Sequence, residues 1–159
     1  MPKPLQIKLL KCMSAKTLLL LSCLGIVACG GITHKTTALT DNDWPNYGRD
    51  YSNQRMSPLT QINPKNVKSM TLAWQFKSGV SATFQATPIV ANGVMVVALP
   101  YNHVVALDAK TGLELWRYKH ERKANWKMCC GPANRGVAVS EGKVFIGTVD
   151  ARLIALDAN

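Results

Sequence analysis

The chain has 159 residues, enough for one domain with a sizeable core. Its 19 Lys and Arg against 9 Asp and Glu give a formal charge of +10, which raises nucleic acid or an anionic membrane as partners. The placement of the charge argues against nucleic acid. Lys3, Lys8, Lys11 and Lys16 crowd the first 16 residues, leaving 15 basic residues against the same 9 acidic ones, and no recognition motif accompanies the excess. The densest basic run, Arg117, Lys119, Arg122, Lys123 and Lys127, reads as a solvated loop.

The leader comes first in chain order. Residues 1–16 are basic and carry no acid, and Thr17 to Val27 form an apolar stretch of 11 residues. A helix needs about 20 apolar residues to span a bilayer, so this stretch is too short for a permanent anchor. It fits the apolar region of a secretory signal peptide over residues 1–28. Ile26-Val27-Ala28-Cys29 then leads into Gly30-Gly31. Two readings stand. In one the four residues are a bacterial lipobox, and Cys29 becomes the first mature residue and carries lipid that anchors the protein to a membrane. In the other, cleavage near Ala28 leaves a soluble periplasmic protein. Both export the chain. Residues 29–43 are polar and small and read as a flexible tether.

Residues 44–159 form the remaining unit. Its first 20 residues are rich in Asn, Pro, Gly and Tyr and read as ordered loop. Asn63-Pro64 predicts a short helix over 64–69, with Asn as N-cap and Pro at the first position. After that the signal is all β. Strands are predicted at 70–76, 87–91, 94–99, 103–108, 113–119, 136–140, 143–148 and 152–157, with Asn92-Gly93 and Glu141-Gly142 as tight hairpin turns. The pattern repeats: Ala106-Leu107-Asp108-Ala109 recurs 49 residues on as Ala155-Leu156-Asp157-Ala158, and Gly93 falls on Gly142 at the same offset. A repeat of about 40–50 residues built from short strands is the mark of a β-propeller blade. The chain holds about two blades, whereas a ring of eight takes about 350–400 residues, so it reads as the N-terminal part of a longer propeller. Leu153, Ile154 and Leu156 are expected to pack against a further blade.

Conventional catalytic sets are missing from the sequence. His34, His103 and His120 lack zinc-site spacing, and His103 reads as a packing residue. Asp41-Asn42-Asp43 lacks the Gly and the closing Glu of a calcium loop. No nucleophile elbow or glycine-rich phosphate loop is present. The chain therefore offers no catalytic or metal-ligating residue. Of its five cysteines, Cys12 and Cys23 fall in the leader and Cys29 at its end, which leaves the adjacent pair Cys129-Cys130. Neighbouring Cα atoms lie about 3.8 Å apart, below the usual span of a disulfide, so a bridge between them closes a strained eight-membered ring. The alternative is two free thiols.

The segment that holds this pair, CCGPANRG at 129–136, is followed by a strand and an ALDA turn, and it resembles the cofactor segment of the pyrroloquinoline-quinone (PQQ)-dependent alcohol dehydrogenases of methanol and ethanol dehydrogenase type. WPNYGRDYSNQRMSPLTQIN at 44–63, FQATPIVANGVMVV at 84–97 and VVALDAKTGLELWRY at 104–118 resemble the same family. The resemblance implies an eight-bladed propeller that oxidises an alcohol to the aldehyde with PQQ and calcium, passing electrons to a periplasmic acceptor such as a cytochrome c. It matches Cys129 and Cys130 to a vicinal disulfide stacked on the quinone, and Arg135 to the arginine at the quinone's reactive carbonyls. Gln85 stands where many members have Glu, a departure that leaves an amide to contact the cofactor. Trp74 and Trp116 match tryptophans that dock neighbouring blades. The catalytic Asp and the calcium ligands fall beyond Asn159 in the family order, so the chain alone is expected to be inactive. Two other readings compete: a lipid-anchored, non-catalytic propeller that binds proteins in outer-membrane assembly, and a remnant without function.

Overall fold

The computed structural model describes residues 39–121 and 130–159. Among the described residues seven strands form two antiparallel meanders. The first sheet runs β1 (Ile89–Ala91), β2 (Val94–Ala98), β3 (Val104–Asp108) and β4 (Glu114–Tyr118), in that spatial order. The second runs β5 (Ala138–Ser140), β6 (Lys143–Gly147) and β7 (Leu153–Asp157). Each end of β1, β2 and β3 recurs 49 residues later at the matching end of β5, β6 and β7, so the repeat read in the sequence is a repeat of strand pairing.

The turns explain why the pairing holds its register. Asn92 and Gly93 have φ of 51° and 78°, and Glu141 and Gly142 have 49° and 70°. Two consecutive left-handed residues make the hairpin turn whose twist matches that of the strands. Asn and Gly accept this conformation readily, whereas Glu141 adopts it against its own steric preference. In β3, Ala106 pairs with Trp116 but Leu107 pairs with Glu114, so Leu115 is the extra residue of a bulge.

Packing follows from the alternation. Val96, Ala98, Val104 and Ala106 of the first sheet meet Val144 and Ile146 of the second in one cluster, with Ile154 and Leu156 packed against it. The last two therefore face the first sheet, and of the three residues expected to point toward a further blade only Leu153 points outward, 77 % exposed. Side-chain alternation is the reason, since Leu153 and Ile154 must lie on opposite faces. The other face of the first sheet buries Leu99, Val105 and Leu107 under Trp74, Phe76 and Val80.

The 70–76 segment, predicted as a strand, belongs to neither sheet. It lies across the first sheet through alternate residues Trp74 and Phe76, and Arg117 ties its far end down by donating to the Ser78 carbonyl at 3.0 Å. Arg117 also makes two bonds to the Glu114 carboxylate, at 2.9 and 2.6 Å. It is half-buried and paired, not part of a solvated loop as its basic neighbours suggested. The predicted helix at 64–69 shrinks to a 3₁₀ turn at Val67–Ser69, while Asn63 caps the preceding turn by accepting from the Lys65 N–H.

Trp116 spans the two sheets: its indole N–H donates to the Ala158 carbonyl at 3.1 Å. Trp74 covers Gly112, where a Cβ would stand 2.5 Å from the indole ring. Both tryptophans thus act in packing; Trp116 joins the two sheets, whereas Trp74 covers the first sheet alone.

Candidate functional site

Strand register brings the chemically interesting segments to one end of both sheets. Ile89 at the start of β1 pairs with Val96 near the end of β2, Ala98 pairs with Val104 at the start of β3, and Val104 pairs with Tyr118 at the end of β4. The residues before β1, the β2–β3 connection and the residues after β4 therefore emerge together. In the second sheet Gly147 pairs with Leu153, so the β6–β7 turn and the residues before β5 emerge at one end likewise. Hydrogen bonds join the two sets: Tyr101 N–H to the Pro132 carbonyl at 2.8 Å, and Asn134 Nδ2 to the Gly147 carbonyl at 2.9 Å.

An open cleft of about 520 Å³ lies at this end. One wall is the 45–47 segment, which two backbone bonds between Trp44 and Val90 strap to the free edge of β1. The other is the 133–138 segment, and Thr87, Ile89 and Gly147 complete the lining. Among the described residues Arg135 is the cation of this lining, and no carboxylate contributes to it. The volume falls within the range of small-molecule sites, about 300–1,000 Å³. One guanidinium, several polar groups and no acid favour a bound anion.

The residues singled out in the sequence fall as follows. Arg135 is exposed and lines the cleft. Gln85 is exposed and outside the lining, although Thr87, two residues on, is part of it. Cys130 is exposed at the start of the segment that leads to Arg135. Cys129 lies outside the described residues, so the disulfide expected with Cys130 does too, and so do the leader and Cys29. Among the described residues no group of three or more His, Cys, Asp or Glu is placed to hold a metal ion.

Two polar clusters at this end are not legible as clusters in the sequence, although Asn134 lies in the CCGPANRG segment. In the first, Asn134 bonds to Asn102 Oδ1 at 3.0 Å and accepts from the Gly136 N–H at 3.0 Å. In the second, His120 bridges the sheets. Its Nε2 lies 3.0 Å from Asp150 Oδ1, its Nδ1 lies 3.2 Å from the Tyr118 hydroxyl, and its backbone N–H donates to His103 Nδ1 at 2.9 Å. Arg152 Nε stands 3.1 Å from the other oxygen of Asp150. The His120 and Asp150 side chains are 1 % and 3 % exposed. The Thr148 hydroxyl holds the Asp150 carboxyl below the usual range; enclosure opposes this, and its own backbone N–H and His120 reinforce it. Burial lowers the His103 pKa, helped by the charges of His120, Arg117 and Lys119. A neutral His103 is what an acceptor for the His120 N–H requires. Residues 30 apart in the chain form the His120–Asp150 pair, a separation that no spacing rule covers.

Comparison with known proteins follows the same residues. The family described as "PQQ: Glucose/ethanol/alcohol dehydrogenase, beta-propeller domain" matches residues 44–159. A 1-butanol dehydrogenase (cytochrome c) of Thauera butanivorans is 43 % identical over 145 residues, which cover 90 % of this chain and 20 % of that protein. The quinohemoprotein alcohol dehydrogenase of Comamonas testosteroni has a crystal structure that superposes with a TM-score of 0.69 at 45 % identity, over 76 % of this chain and 18 % of that one. A europium-containing methanol dehydrogenase also superposes, with a TM-score of 0.69 at 38 % identity, over 76 % of this chain and 22 % of its own. The chain spans about a fifth of the length of the curated relatives it matches.

Proposed function

The chain belongs to the PQQ-dependent alcohol dehydrogenase β-propeller family, and from that premise we propose that it supplies one wall of the quinone site of an exported enzyme that oxidises an alcohol to the aldehyde. The observation that carries this reading is Arg135, among the described residues the cation of a cleft between the 45–47 and 133–138 segments to which they contribute no carboxylate. PQQ is a flat tricarboxylate with an ortho-quinone, and when bound it supplies the two-electron acceptor for the alcohol. The residues present fit such a group by charge, by the size of the cleft and by the planar donors of a guanidinium.

Arg135 would hold the anionic cofactor and fix its orientation. A Cys129–Cys130 disulfide, if closed, would offer it a flat apolar platform. Gln85, which lies outside the cleft lining, would offer a carboxylate a neutral amide, a weaker partner than a charged one. A calcium ion, its ligands and the base that takes the alcohol proton belong to parts of the protein outside these residues. The signal-like leader directs the protein to the periplasm, with lipid on Cys29 as its membrane anchor. Electrons pass from there to a cytochrome c; the Thauera relative's name includes that acceptor.

The test uses the full-length protein that contains this chain, titrated with PQQ in the presence of Ca²⁺. Alcohol-dependent reduction of an artificial acceptor is expected. Arg135→Ala should weaken PQQ binding about tenfold or more, the scale of a lost charge-assisted hydrogen bond, about 1.5–3 kcal/mol. PQQ binding that Arg135→Ala leaves unchanged would remove this residue from the site. No alcohol-dependent reduction at all would sink the dehydrogenase reading.

A further inference from the structure

We propose that Asn134, locked by Asn102, is the positioning residue that presents Arg135 to the cleft. The proposal rests on the reading that Arg135 contacts PQQ.

The geometry is specific. The Asn134 amide nitrogen donates to Asn102 Oδ1 at 3.0 Å and to the Gly147 carbonyl at 2.9 Å, while its oxygen accepts from the Gly136 N–H at 3.0 Å. One side chain thus engages the β2–β3 connection of the first sheet, the end of β6 in the second, and the backbone just beyond Arg135. The chain is held at 134 and again at 136, on both sides of Arg135. Arg135 itself is exposed and lines the cleft. Gly136 has φ of 140°, and a Cβ there would sit 3.7 Å from the Thr87 carbonyl, so the backbone on the far side of Arg135 runs close against the segment entering β1.

Asn102 shows that this arrangement is maintained at a cost. It is 1 % exposed, and its Nδ2 is buried with no hydrogen-bond partner among the described residues, although its Oδ1 is used. A buried donor left unmade is unfavourable, and an apolar residue would avoid it. Tyr101 and Asn102 also adopt left-handed φ of 64° and 63° in succession. Such strain persists where the surroundings over-determine it, commonly beside a site. Here the two residues are bound by Pro132 and Asn134, both in the segment that leads to Arg135. Joining two sheets would explain a bond from Asn134 to Gly147. It does not explain a buried Asn102 with an idle donor, or a bond that closes around Arg135.

The experiment is a double-mutant cycle on the full-length protein, prepared without cofactor and titrated with PQQ and Ca²⁺ by quenching of tryptophan fluorescence. Asn134→Ala should weaken PQQ binding about tenfold, yet add less than about twofold when Arg135 is already Ala, because a positioning residue acts through the group it positions. Asn102→Gly keeps the left-handed backbone accessible and removes the buried amide that locks Asn134. It should weaken binding severalfold with the unfolding midpoint of the cofactor-free protein near that of the wild type, and it decides the question by the same cycle if Asn134→Ala does not fold. Effects of Asn134→Ala and Arg135→Ala that multiply independently would overturn the proposal and leave the Arg135 reading standing. Wild-type protein that takes up no PQQ would overturn both.

Discussion

Asp43 is 8 % exposed, and burial alone would push its carboxyl toward the neutral form. Hydrogen bonds outweigh that: the Thr40 hydroxyl and N–H donate to Oδ2 at 2.7 and 3.0 Å, and the Asn92 N–H donates to Oδ1 at 3.0 Å. With the nearby charge of Arg49 they hold the Asp43 pKa below its ordinary value. A carboxyl depressed by folding contributes stability above its unfolded pKa of about 3.9, and the contribution is lost as pH falls through the folded value. Asp43→Asn faces three donors with an amide that has only one acceptor oxygen. It should cost about 2 kcal/mol at pH 7, seen as a lower unfolding midpoint, and the gap to wild type should narrow below pH of about 3.9. A gap that stays constant from pH 7 to pH 3 would mean that the ionised carboxylate does not fasten the 40–43 segment to the β1–β2 turn. That turn sits at the opposite end of β1 from the cleft, so cofactor affinity at pH 7 should change little.

At the scale of elements, the two tryptophans and the glycines opposite them decide how segments stack. Gly93 and Gly112 have nearly the same φ, 78° and 73°, but a Cβ on Gly93 meets nothing within 4 Å whereas one on Gly112 strikes the Trp74 ring at 2.5 Å. Gly93→Ala should therefore cost only the backbone term, about 1–2 kcal/mol. Gly112→Ala should cost that and also the displacement of Trp74 from the first sheet, roughly a further 1–3 kcal/mol. Equilibrium unfolding of the two variants measures the difference, and equal costs would show that Trp74 yields freely. The β strands themselves were legible because each pairs with its sequence neighbour across a turn with its own chemistry. Segment 70–76 was not, because its composition specifies an extended, half-buried chain but not a hydrogen-bonded partner. Arg117 was misjudged for a related reason: a basic run shows charge, while the Glu114 carboxylate three residues back and the distant Ser78 carbonyl that pair with it belong to the folded strand.

At the scale of the molecule, Arg135, which lines the cleft, stands in a motif, whereas Asn102, His120 and Asp150 carry no such signal, because they come to the same end of the sheets from three different connections. The same geometry leaves the outward face of β7 with Leu153 77 % exposed beside Ala155. In a propeller each blade covers the next, so this face is expected to be buried in the full-length protein. Leu153→Lys separates the two situations. In a chain ending at Asn159 it should raise solubility, since it places a charge on a bare apolar strand. In the full-length protein it should lower stability by about 2–5 kcal/mol, the range for removing a large apolar side chain from a core, and more if the ammonium is trapped without a partner. Light scattering on the short chain and unfolding of the long one give the two readings. A full-length protein that tolerates Leu153→Lys within about 0.5 kcal/mol would leave the outer face of β7 open to solvent, which a closed ring of blades does not allow.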